Sequence, residues 1–147
     1  MKSKILNQVE GGQSTFAVVF DKGDEVVHGL LEFATRYKIG GAQVTGVGAF
    51  SDVVLGYFEP TRLEYREIPI HEQVELLSLL GDITMENDNP KLHVHAVVGR
   101  SNGQAYGGHL LQANVWPTLE IIVTESPKYL HRTHDPETGL ALLDLAA

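Results

Sequence analysis

Apolar and polar positions change rhythm at Gly40-Gly41, from the helical spacing just before it to short β-rich runs after it. Residues 14–20 are β-rich and end at Asp21-Lys22-Gly23, a turn-forming cluster. Asp24 follows as a candidate N-cap, with Glu25 in the first turn beside the positive end of the helix. Val27, Leu30, Leu31 and Ala34 recur at helical spacing, and Gly40-Gly41 stop the run. The pattern predicts one amphipathic helix over about residues 25–38, covering a sheet face.

From residue 42 the signals are strands and turns. Runs at 42–50, 53–58, 63–68, 74–85, 92–98, 104–111 and 119–124 read as strands, with weaker ones at 130–134 and 140–145. Glu59-Pro60-Thr61 marks a turn, residues 86–90 a polar break, and Ser101-Asn102-Gly103 a hairpin. One helix and at least seven strands joined by short turns predict an α+β fold. It is expected to be a single domain, a mostly antiparallel β-sheet with one main helix packed on it. The length of 147 residues agrees, because two full domains would be cramped in it.

The most informative stretch is Leu92-His93-Val94-His95-Ala96-Val97-Val98. In a strand Leu92, Val94, Ala96 and Val98 form an apolar face, and His93 and His95 share the other. Imidazoles two residues apart on one face are separated by about 7 Å along the strand, so their ring nitrogens can converge on one ion. A third ligand can come from across the hairpin. If Ser101-Asn102-Gly103 is a three-residue loop with Gly103 left-handed, Arg100 pairs with Gln104. Counting back then sets His95 opposite His109, with small Gly99, Ala105 and Gly107 leaving room on that face. A two-residue Asn-Gly turn would put His109 on the wrong face, unless a bulge at Gly107-Gly108 restored it. The competing interpretation leaves His93 and His95 on a wet sheet face and His109 at a turn.

Composition sharpens this. There is no cysteine, so disulfides and thiolate metal ligands are excluded, and any metal must be held by nitrogen and oxygen. Seven histidines are many for this length. His93, His95 and His109 are the candidate ligands of a divalent metal, zinc by default. His28, His71, His131 and His134 are expected at the surface. Lys and Arg total 11 against 19 Asp and Glu, a net charge of −8 that opposes binding to a phosphate backbone. Arg62, Arg66 or Arg100 could hold an anionic substrate, and Glu72, Glu75 or Glu120 could serve as an acid/base or in a buried pair. No nucleophile elbow, phosphate-cradling loop or basic run is present, and no catalytic residue is assigned. Neither a secretory signal nor an apolar span of roughly 18 residues is found, which points to a soluble cytoplasmic protein and no membrane partner.

Four segments in this order carry a family likeness: Gly46-Val47-Gly48-Ala49-Phe50, Glu75-Leu76-Leu77-Ser78-Leu79-Leu80-Gly81, Leu92-His93-Val94-His95-Ala96 and Gly103-Gln104-Ala105-Tyr106-Gly107-Gly108-His109-Leu110. Together they resemble the PPC (plants and prokaryotes conserved) domain in its stand-alone prokaryotic form. The likeness runs over about residues 15–145, and the whole of 1–147 is read as one such domain. It implies a compact α+β homotrimer and brings the family label of predicted DNA-binding protein, which derives from plant members with AT-hooks. This chain has no AT-hook. Where plant members carry Gly-Arg-Phe-Glu-Ile-Leu it has Glu72-Gln73-Val74-Glu75-Leu76-Leu77. Plant members generally lack the three histidines, so their transcriptional role transfers poorly. The His-x-His plus downstream His is similar to the zinc site of α-acetolactate decarboxylase and of a related zinc ester hydrolase. The resulting expectation is a trimeric protein with a three-histidine metal site that binds or transforms a small-molecule ligand, as a metal-dependent hydrolase or lyase if it is catalytic. The alternative is a DNA-associated or regulatory module acting through its trimer surface.

Overall fold

The structure, a computed structural model, describes residues 1–9, 13–126 and 129–146. Among the described residues, nine strands and one helix follow one another as β1 (Lys2–Gln8), β2 (Ser14–Phe20), α1 (Val26–Tyr37), β3 (Ala42–Glu59), β4 (Glu64–Ile70), β5 (Val74–Glu86), β6 (Asn89–Gly99), β7 (Ala105–Glu125), β8 (His131–His134) and β9 (Ala141–Asp144). All pairings are antiparallel except a short parallel contact between β5 and β8. The fold is therefore α+β with a mostly antiparallel sheet, as the pattern predicts. β3 pairs with β5 and β7, and β6 pairs with the same two strands, so these four close into a ring. Closure removes their free edges.

The helix begins one residue later than expected. Glu25, not Asp24, is its N-cap, and its carboxylate accepts from the amides of Val27 and His28. The same carboxylate accepts from the Ala113 amide, which ties the helix start to β7. Asp24 is drawn away by the chain's amino group, 2.7 Å from its carboxylate. The buried stripe is Val26, Gly29, Leu30, Phe33 and Ala34. This stripe lies beside the one suggested by Val27 and Leu31, and those two are only partly buried. Fully buried Leu30 and Phe33 each contribute about 1.5–3 kcal/mol. Gly29 is required here, since a Cβ would lie 2.4 Å from the Phe20 ring.

Two expected strand pairs are each one long strand. Residues 42–50 and 53–58 join in β3, which bends through a register shift between Phe50 and Asp52 and passes from β5 to β4. Residues 104–111 and 119–124 merge into β7. Strand β1 was not expected, because it is exposed along nearly its whole length and its pattern shows no buried face. The polar break at 86–90 is a two-residue turn with Asn87 and Asp88 both at positive φ (50° and 61°), joining β5 to β6. That is the conformation a twisted hairpin favours, and Asn and Asp tolerate it.

Candidate metal centre

Two hairpin turns set the site. In the first, the Arg100 amide donates to the Gln104 carbonyl at 2.9 Å, the Gly103 amide donates to the Arg100 carbonyl, and Gly103 has φ 82°. The loop is thus the three-residue form, and His95 pairs directly with His109. The second turn, Asn87-Asp88, propagates along β5 and β6 and sets Asp82 opposite His93.

The three imidazoles consequently gather on one face. One ring nitrogen from each of His93, His95 and His109 lies within 4.8 Å of the others. His93 Nε2 and His95 Nε2 are 3.2 Å apart, close to the roughly 3.3 Å separating two nitrogens on a tetrahedral zinc ion. His109 is held by stacking on Tyr65, with centroids 4.6 Å apart and planes at 26°. Its Nδ1 is buried with no hydrogen-bond partner, which is costly unless something accepts or fills the position. Burial, then the neighbouring His93, His95 and Lys91, push the His109 pKa down to about 4. His93 is also lowered, by burial and then by Arg132 and His95, against the pull of Asp82. His109 is therefore a neutral imidazole at pH 7, the form that ligates metals. An all-nitrogen donor set with an orphaned ring nitrogen fits a divalent ion.

A cavity of about 400 Å³ adjoins the cluster, walled by His93, His109, Tyr65, Lys91 and Arg132, with Leu140 and Leu142 of the C-terminal segment. It is not over Gly99, Ala105 and Gly107 as their small size suggests. Leu77, unpaired at the register shift between Leu76 and Ser78, is exposed on that face, and its side chain covers Gly99 at 3.2 Å from where a Cβ would be. His134, expected to be a surface bystander, is exposed and lines this cavity. His28 and His71 are exposed and His131 is partly buried; none of these four belongs to the three-histidine cluster.

The candidate anion holders are committed elsewhere. Arg66 lies 2.9 Å from Glu59, Arg62 neighbours Glu59 and Glu64, and Arg100 pairs with Glu72. None of the three lines the cavity. Glu75 and Glu120 are exposed, so neither is a buried acid/base. The carboxylates at the site are Asp82 and Glu86, and the buried cation is Arg132. Arg132 Nε donates to Thr84 at 2.9 Å, Nη1 to the Ala141 carbonyl at 2.8 Å, and Nη2 to both Asp82 oxygens at 2.9 and 3.1 Å. Nη2 also lies 3.2 Å from His93 Nδ1. Nothing in the local pattern of residues 130–134 signals this role, because it depends on β8 folding back against β5.

A largely antiparallel α+β fold carrying three convergent imidazoles on one hairpin defines the class. The model of the Plants and Prokaryotes Conserved (PCC) domain matches residues 7–127, and the chain belongs to that family. The metal-containing protein AF0104 of Archaeoglobus fulgidus is 33% identical, with a TM-score of 0.81 over 88% of this chain and 91% of its own. A candidate DNA-binding protein of Bacteroides thetaiotaomicron is 28% identical, with a TM-score of 0.87 over 99% of each chain. A Staphylococcus aureus protein similar to α-acetolactate decarboxylase shares the fold distantly, with a TM-score of 0.51 at 13% identity over 74% of this chain and 50% of its own. A bifunctional GlmU protein of a Synechococcus strain is 31% identical over 67% of this chain, which spans only 15% of that relative's length. Among the described residues, no helix is long and apolar enough to cross a membrane.

Proposed function

We propose that His93, His95 and His109 hold a divalent metal ion, zinc by default, and that the protein uses it to bind or transform a small molecule in the adjoining cavity. The observation that carries this reading is the convergence of three imidazoles, one of them with an orphaned buried nitrogen. The name of the Archaeoglobus relative supports it. A divalent ion there would supply Lewis acidity toward a carbonyl or bound water, the chemistry of a metal-dependent hydrolase or lyase. The chain's own residues would do the rest. Leu140 and Leu142 would give the cavity an apolar wall, while the Tyr65 hydroxyl and the Lys91 ammonium, itself 2.9 Å from Glu86, would orient polar groups of the ligand.

The same proposal includes a homotrimer and a cytoplasmic location. Val19, Val47, Leu77, Leu80, Val97 and Ile122 are exposed on the outer sheet face, an apolar patch of the kind that copies of a chain bury. The acidic, cysteine-free composition suits the cytoplasm. Metal analysis of untagged protein tests the central reading. Close to one ion per chain, lost in His95→Ala, is expected. Well under half an ion per chain after zinc supplementation, unchanged by His95→Ala, would overturn it.

A second reading, a DNA-associated module, is favoured by the name of the Bacteroides relative. The charge of −8 counts against it. Gel-shift titration against salt separates the two, since binding that vanishes near physiological salt leaves only the metal reading.

A further inference from the structure

The arginines that the sequence offers as anion holders are committed elsewhere, yet the cavity beside the histidines has cations of its own. Lys91 and Arg132 line it against a single lining carboxylate, Glu86. Asp82, the counter-ion of Arg132, is not part of the lining. This local excess of positive charge lies in a chain of net charge −8. A cleft lined by one sign of charge concentrates ligands of the other.

Both cations keep donors to spare. An ammonium has three N–H groups, and Lys91 lies 2.9 Å from only one carboxylate oxygen, on Glu86. A guanidinium has five. Arg132 spends Nε on Thr84, one Nη1 N–H on the Ala141 carbonyl, and Nη2 on Asp82 and His93. The second Nη1 N–H has no acceptor among the described residues. Leu140 and Leu142, from the C-terminal segment, make another wall of the same cavity aliphatic. No lining residue belongs to α1, so the cavity lacks the helix N-terminus that favours phosphate groups. At about 400 Å³ it is near the lower end of the roughly 300–1,000 Å³ range of ligand cavities.

We propose that the cavity takes a small aliphatic carboxylate, its head group met by Lys91 and Arg132 and its chain laid against Leu140 and Leu142. This names the ligand class of the proposed function and rests on that reading for the role of the site. The recognition itself uses only side chains of this chain.

NMR titration of the zinc-supplemented full chain tests it. The probes are acetate, butyrate and hexanoate, set against the alcohols, amines and monoalkyl phosphates of the same carbon number. Carboxylates should bind about 10-fold or more tighter than the matched alcohols, and each added methylene should tighten them by about 2–4-fold. Alcohols, amines or phosphates that match the carboxylates, or affinity indifferent to chain length, overturn the proposal. Lys91→Gln should weaken carboxylates about 10-fold and leave alcohols unchanged, and Leu142→Ser should flatten the gain per methylene. Wild-type behaviour in both variants overturns it too. The two side chains are exposed, so the fold should survive, and circular dichroism checks that. Zinc content is read on the same samples. A zinc-loaded chain without carboxylate preference overturns this inference alone. A chain that prefers carboxylates but takes up no zinc overturns the metal reading and supports this one.

Discussion

The imidazole of His109 stacks on the ring of Tyr65, with centroids 4.6 Å apart and planes 26° from parallel. This contact joins β7 to β4, which approach each other only because both flank the C-terminal half of β3. It also fixes the ring of the most deeply set member of the histidine cluster. A stacked aromatic pair contributes about 0.5–1.5 kcal/mol, so Tyr65→Ala should weaken zinc by about 2–10-fold through a less ordered His109. Tyr65→Phe keeps the ring and should bind zinc like the wild type. Chelator competition measures both.

Acid should destabilise the metal-free protein through the same residue. His109 has a folded pKa of about 4 against the usual 6.5, so the unfolded chain takes up the proton first. The stability gained from keeping it neutral is therefore complete above about pH 6.5 and is lost as pH falls toward 4. His93 shifts in the same direction and adds to the slope. Melting temperatures of chelator-treated protein should fall across this window, and His109→Gln should flatten the fall.

Two glycines should respond to alanine for different reasons. Gly103 sits at φ 82° in open space, so Gly103→Ala carries only the left-handed backbone cost, about 1–2 kcal/mol. Gly29 has a helical backbone but faces Phe20, so Gly29→Ala overpacks the core at a cost of about 1–3 kcal/mol. Urea unfolding gives both values. Only the first variant should also disturb zinc affinity, because Gly103 belongs to the turn that sets His95 against His109.

The outer apolar face offers a check on assembly. Ile122 belongs to it, paired with Ala17 on one side and Thr45 on the other. Light scattering should give the wild type a mass three times the 16.1 kDa chain, and Ile122→Glu should give the single-chain mass with an unchanged circular dichroism spectrum. A wild type that runs as a single chain would remove the trimer from the proposal.

Local pattern alone determined much of this molecule. Strand β2, helix α1 to within a residue at each end, and the Ser101-Asn102-Gly103 loop were legible because alternation, helical spacing and a left-handed glycine act over a few residues. That loop carries the register of β6 and β7, and with it the meeting of His95 and His109. What lies behind the histidines could not be found this way. Asp82 meets His93 through the Asn87-Asp88 turn, whose positive φ values were hidden within a polar break. Arg132 reaches them only because β8, with one paired residue on β5, returns from 48 positions along the chain to Thr84. Leu77 was read as part of a strand and lies in β5, but only the pairing shows it unpaired at a register shift with its side chain over Gly99, while the open space lies beside His93 and His109. Such contacts depend on closure of β3, β5, β6 and β7 into a ring and on where irregular pairs fall in it, which is long-range packing that no short stretch of sequence encodes by itself.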